Sequence, residues 1–135
     1  MSARPDTAPF TDWMGTELVS SENGRVVLRL ALRHELHNRQ QVAHGGVLAT
    51  LLDSAMARAA RLIEGVRELG GTTDLHVQFM APGQGVLCAT GWVEHAARSL
   101  AFCRGEVRDG DGALVASAAG TMRLRRSLVE SPPFL

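Results

Sequence analysis

The hydrophobic pattern changes period along the chain, and each change marks an element. Val26, Leu28, Leu30 and Leu32 alternate with Val27, Arg29, Ala31 and Arg33, the period-two signature of a strand with one buried face. Residues 16–20 supply a shorter strand, and Asn23-Gly24 predicts a hairpin turn between the two, because both residues tolerate positive φ. Residues 10–14 predict one helical turn ahead of Gly15. The longest apolar run, residues 47–63, is rich in Leu, Ala and Met, which favours helix over buried strand. At about 100° per residue, Thr50, Ser54, Arg58 and Arg61 share one stripe and the rest is apolar, so burial on most faces is expected. Gly65 is expected to end this helix, and Gly70-Gly71 to open the next strand.

The second half reads as strand throughout. Residues 73–80 alternate Leu75, Val77 and Phe79 against Asp74, His76 and Gln78, and stop at Pro82-Gly83. Residues 86–95, 100–108 and 113–125 follow, joined by short links that predict an antiparallel meander, with the tightest turn at Asp109-Gly110-Asp111-Gly112. Two strands, one largely apolar helix and four strands make an α+β chain. A curved antiparallel sheet of about six strands wrapped around one central helix accounts for the apolar helix. This is the hotdog architecture.

Length and composition narrow the function. At 135 residues, 45% apolar and 21% charged, the chain suits one domain, expected over 13–127 between a loose arm at 1–12 and a tail at 128–135. So short a chain buries a modest share of its surface, which favours an oligomer. All 14 cations are arginine and tyrosine is absent. That excludes Schiff-base and pyridoxal-phosphate chemistry, a Walker A loop and a tyrosine acid. The 14 acidic residues bring the net charge to zero, against nonspecific nucleic-acid binding. Cys88 and Cys103 make neither a disulfide framework nor a four-ligand metal site, and are expected as reduced core thiols. Residues 1–11 lack the apolar run of a signal peptide and 47–63 are too charged to span a membrane, so a cytoplasmic protein is expected.

Candidate chemistry gathers around the start of the central helix, at Asn38, His44-Gly45-Gly46 and Asp53. A helix N-terminus offers unpartnered N–H groups and a partial positive charge, and two glycines let a ligand approach the main chain. Such a site polarises a carbonyl or holds an oxyanion. On the helical wheel Asp53 sits beside Gly46, Ala49, Ala57 and Ala60, a strip narrow enough for a thin ligand or another chain.

These residues also carry a resemblance. The run Asn38-Arg-Gln-Gln-Val-Ala-His44-Gly-Gly-Val-Leu-Ala-Thr-Leu-Leu-Asp53-Ser-Ala resembles the signature of hotdog-fold acyl-CoA thioesterases of the phenylacetate-degradation, or PaaI-like, type. The similarity covers nearly the whole chain. It implies that Asp53 is the catalytic carboxylate, as general base or nucleophile, and that the Gly45 amide polarises the thioester carbonyl. It implies that Asn38 and His44 position the carbonyl, the leaving sulfur or the water, and that Thr72 or Thr73 orients the attacking water. Gly46 would border the substrate, and Arg98 or Arg104 would meet phosphates of coenzyme A. The resemblance further implies hydrolysis without metal or cofactor, in a homodimer or homotetramer whose sites are shared between protomers. No nucleic-acid or membrane partner is expected. Two positions depart from the family pattern: Gln41 stands where glycine is frequent, and Ala97-Arg98 occupies a turn where Gly-Arg is frequent. A non-catalytic module that binds or senses acyl-CoA uses the same pocket and is the alternative; a hotdog dehydratase lacks its usual His and acid arrangement.

The remaining features carry less. His34-Glu35-Leu36-His37 does not have the His-Glu-x-x-His spacing of zinc hydrolases. His76 and His95 are expected at the surface or lining a pocket, and Trp13 and Trp92 in the core. Arg123, Arg125 and Arg126 form the only basic cluster and are expected at a solvated edge.

Overall fold

In a computed structural model of the chain, residues 8–126 are described. A short helix, α1 (Pro9–Met14), precedes a hairpin of β1 (Glu17–Glu22) and β2 (Arg25–Ala31). Asn23 at φ 55° and Gly24 at φ 75° turn that hairpin, as the pair predicts. A single 3-10 turn, His34–Leu36, leads through an irregular loop to the long helix α2 (Gly45–Arg61). Four strands follow: β3 (Val66–Phe79), β4 (Val86–Ala96), β5 (Leu100–Arg108) and β6 (Leu114–Arg126). All strands pair antiparallel in one six-stranded sheet of order β1-β2-β4-β5-β6-β3. The α+β hotdog arrangement expected from patterning is present.

Several local expectations change. Strands β4, β5 and β6 form a meander, but β3 lies on the far side, paired with β6, and β4 pairs with β2. Strands β2 and β3 are four strand spacings apart, about 19 Å, a distance that the roughly 25 Å length of α2 spans. Gly70-Gly71 lies inside β3 rather than at its start; the pairing with β6 slips at Val66/Glu68, Leu69/Gly71 and Thr72/Asp74. Helix α2 stops at Arg61, capped by Leu62, and Gly65 at φ 85° turns the chain into β3. Helix α1 meets the helical turn expected over 10–14 and begins one residue earlier, at Pro9. Residues 1–7 and 127–135, with the tail, lie outside the described residues.

Glycines decide how closely α2 meets the sheet. Its Leu48, Leu51, Leu52, Ala55, Met56, Ala59 and Ala60 are buried. Beneath them Gly91 on β4 and Gly105 on β5 are direct cross-strand partners. A Cβ on Gly91 would come within 2.6 Å of the Ala55 carbonyl oxygen and the Met56 nitrogen, so the helix backbone rests on the strand itself. Neither tryptophan is in the core. Trp13 is 56% exposed, with the Arg33 guanidinium 4.6 Å from its ring centroid. Trp92, next to Gly91, points to the opposite face of the sheet under Arg25. Cys103 is buried, and burial pushes its thiol up to about 11; Cys88 is half-buried.

The sheet covers one face of α2 only. Ala49, Asp53 and Ala57 remain partly exposed, and Gly46 exposed, so the helix is less buried in a single chain than its pattern predicts. Among the described residues, no helix is long and apolar enough to cross a membrane.

Candidate active site

The start of α2 is built by His44. As N-cap residue it adopts φ −60° and ψ 140°, and its Nδ1 accepts the Gly46 N–H at 2.9 Å. An accepting Nδ1 puts the ring proton on Nε2. The Gly46 N–H is thereby used within the cap. Gly45, the first helical residue, has an N–H with no intrahelical acceptor, reinforced by the positive end of the helix dipole. Of the two glycine amides, it is the one left for a carbonyl oxygen.

The preceding loop is held by Asn38. Its Oδ1 accepts from the Gln40 N–H at 2.9 Å and from the Val42 N–H at 3.4 Å. With the oxygen occupied, the side-chain NH2 is the group left to donate. Gln41 adopts φ 64°, the left-handed region that favours glycine. The departure from glycine at this position therefore leaves the loop in a shape suited to glycine. Asn38, Val42, Gly45, Leu48, Phe79 and Met80 line a groove of about 410 Å³ beside the helix start.

Asp53 is engaged from the sheet. The Thr72 hydroxyl donates to Asp53 Oδ1 at 2.6 Å. Thr73 turns elsewhere, donating to the Thr121 carbonyl at 3.2 Å, so Thr72 is the threonine that meets the carboxylate. The register slip between Thr72 and Asp74 explains the facing. Strict alternation would put Thr72 on the same side as Asp74 and His76; one extra residue reverses the sides. Thr72 then faces α2, while Asp74 and His76 line a groove with Arg104 on the opposite face of the sheet.

The candidate residues thus form two groups within one chain. Asn38, His44, Gly45 and Gly46 lie at the helix start, whereas Asp53, with Thr72 of β3 bonded to it, lies eight residues along α2, about 12 Å away. Among the described residues, no group of three or more His, Cys, Asp or Glu is arranged to hold a metal ion.

The family model described as the thioesterase superfamily matches residues 40–116, taking in Gly45, Asp53 and Thr72. The chain belongs to the thioesterase superfamily. A Bacillus halodurans protein solved with CoA is 28% identical, with a TM-score of 0.80 over 92% of this chain and 83% of that one. Zebra fish thioesterase superfamily member 2 is also 28% identical, with a TM-score of 0.74 over 82% of this chain and 81% of its own. The E. coli PaaI protein, from the phenylacetic acid degradation operon, shares the fold at 23% identity, with a TM-score of 0.80 over 89% of this chain and 86% of its own. Superfamily membership makes a thioesterase-type hydrolase of this chain.

The two arginines named for coenzyme A separate in this thioesterase fold. Arg98 lies in the β4–β5 turn beyond the C-terminal end of α2. Arg126 ties that turn down, donating to the carbonyls of Arg98 at 2.8 Å, Ala97 at 3.2 Å and Glu64 at 3.0 Å. Arg126 is therefore a structural clamp, and the strand that carries Arg123, Arg125 and Arg126 lies inside the sheet between β5 and β3 rather than at the expected edge. Arg104 faces away from α2, among His76, Trp92 and Glu106, and does not join Asp53 within the chain. Phe79 and Met80 were not singled out by sequence, because apolar residues alternating on a strand read as core. Their exposures, 56% and 49%, place them on the groove wall instead.

Proposed function

We propose that the chain hydrolyses acyl-CoA thioesters to free acid and coenzyme A, at sites that two copies share. The observation that carries this reading is Asp53 held by Thr72 about 12 Å along the same helix from the Gly45 amide. One chain cannot bring both groups to one carbonyl, so the amide of one copy works with the Asp53 of another. Strand β3 supports the pairing: it bonds to β6 on one side, its other edge is open, and most of its outer half is exposed. An open strand edge pairs readily with another chain, and the small residues beside Asp53 permit close approach.

The chemistry follows from the groups. The Gly45 N–H draws charge onto the thioester carbonyl oxygen. Asp53, oriented by Thr72, accepts a proton from water as the water oxygen bonds to the carbonyl carbon, or attacks that carbon itself to form a mixed anhydride that water hydrolyses to the free acid once the thiolate has left. The C–S bond then breaks and the thiolate takes up a proton. We assign the Asn38 amide and the His44 Nε2–H as donors to the carbonyl, sulfur or water. A thioester carbonyl is electrophilic enough that the scheme uses no metal or cofactor. The CoA-bound Bacillus halodurans relative supports the choice of thioester, and Arg98 is our candidate for a CoA phosphate.

Thiol release from a panel of acyl-CoA esters, by wild type and Asp53→Asn, tests the proposal. The expected result is turnover by the wild type and a loss of at least about a thousandfold in the variant. Undiminished turnover in Asp53→Asn overturns the role of the carboxylate. Tight binding of the esters without hydrolysis identifies a binding module instead.

A further inference from the structure

The apolar groove at the start of α2 has one wall whose position relative to the reacting carbonyl is unusual. Phe79 is the last residue of β3, in register with Ala116, and the chain beyond it stays on the sheet through the Met80 N–H to the Val115 carbonyl at 2.8 Å. Its backbone is thus fixed, yet 56% of the residue is exposed. The ring does not extend freely into solvent. Its Cε1 and Cζ atoms lie 3.5 Å from where a Cβ on Gly45 would stand, so the ring edge is in contact with the residue whose amide is left for a carbonyl.

Val42, Leu48 and Met80 are among the other apolar residues lining the 410 Å³ groove, and Asn38 and Gln40 are its polar ones. An acyl group whose carbonyl oxygen sits on the Gly45 N–H has this groove beside it, with the Phe79 ring against Gly45. Leu48 is buried in the core and Val42 belongs to a loop pinned by Asn38, so both are held. Phe79 and Met80 are the exposed walls, and of the two it is the Phe79 ring that lies against Gly45.

We infer that Phe79 is the specificity-determining residue of the acyl site: its ring narrows the groove beside Gly45 and selects compact acyl groups over long ones. The inference rests on the proposed thioester hydrolysis. It assigns Phe79 no part in bond breaking. Removing the ring lengthens the usable groove without touching the Gly45 amide, Asp53 or Thr72.

The test measures kcat/KM of the full chain for butanoyl-CoA and decanoyl-CoA, in the wild type, Phe79→Ala, Phe79→Leu and Phe79→Trp. Phe79→Leu preserves an apolar contact should alanine destabilise the strand end. The expected result is a decanoyl-to-butanoyl ratio raised about tenfold or more in Phe79→Ala, raised less in Phe79→Leu, and lowered in Phe79→Trp. A wild type that hydrolyses thioesters while all variants keep its ratio overturns the inference and leaves the proposed function standing. Equal loss on both esters, with the ratio unmoved, overturns it too, since that marks a structural role. A wild type that hydrolyses no ester in the panel overturns both.

Discussion

The Thr72 hydroxyl donates a 2.6 Å hydrogen bond to Asp53 Oδ1, joining an edge strand to the middle of α2. The bond fixes one carboxylate oxygen and leaves the other for water or substrate. Hydrogen bonds to charged groups contribute about 1.5–3 kcal/mol, or roughly ten- to a hundredfold in rate if the orientation matters at the transition state. Thr72→Val keeps the branched shape and deletes the donor. Steady-state kinetics are expected to show kcat lower by that factor with KM little changed; an unaltered kcat would show that Asp53 needs no help from β3.

The amide at Gly45 is open to an unusually clean deletion. Proline is well tolerated at the first helical position, where its missing N–H has no intrahelical acceptor. The residue before it must be extended, and His44 already is, at φ −60° and ψ 140°. A Cβ at this position meets Phe79 at an ordinary 3.5 Å. Gly45→Pro should therefore fold like the wild type by circular dichroism and lose about a hundred- to a thousandfold in kcat/KM. Wild-type activity in a folded Gly45→Pro protein rules out the amide as the carbonyl's partner.

Stability should be most sensitive where the helix rests on the sheet. A Cβ at Gly91 meets helix backbone at 2.6 Å, and backbone cannot rotate away as a side chain can. Overpacking costs about 1–3 kcal/mol even where side chains yield, so Gly91→Ala is expected to cost at least about 3 kcal/mol or to prevent folding. Gly110→Ala, with nothing within 4 Å of its added Cβ, should stay within about 0.5 kcal/mol. Denaturant unfolding compares them; equal midpoints would mean that α2 can lift from the sheet.

Gln41 provides a change in the opposite direction. A side chain at φ 64° costs about 1–2 kcal/mol, partly offset because glycine loses more backbone freedom on folding, about 0.5–1 kcal/mol. Gln41→Gly is expected to stabilise the chain by roughly 0.5–1 kcal/mol, seen as a higher denaturant midpoint at constant m. A lower midpoint would indicate that Gln41 makes contacts outweighing its strain.

The sequence by itself determined the elements and the chemistry available to them. Alternation at Val26, Leu28 and Leu30 and the Asn23-Gly24 turn define the first hairpin, the Leu/Ala/Met run defines α2, and a short-range motif brings Asn38, His44, Gly45 and Asp53 to one helix. These are local properties, set by side-chain period and backbone preference within a few residues. What only the tertiary structure decided depends on long-range register. Patterning treated β3 as part of a meander, whereas the length of α2 delivers it to the far edge of the sheet. It left Thr72 and Thr73 equivalent, until one extra residue in the pairing with β6 turned Thr72 toward Asp53. It assigned Trp92 to the core, but Gly91 is the residue that faces α2, so the next residue along β4 points to the opposite face of the sheet. It gave Phe79 no role, because exposure depends on where a strand ends relative to a helix start far away in sequence. Periodicity records which residues share a face; which face meets which partner is settled only when the strands pair.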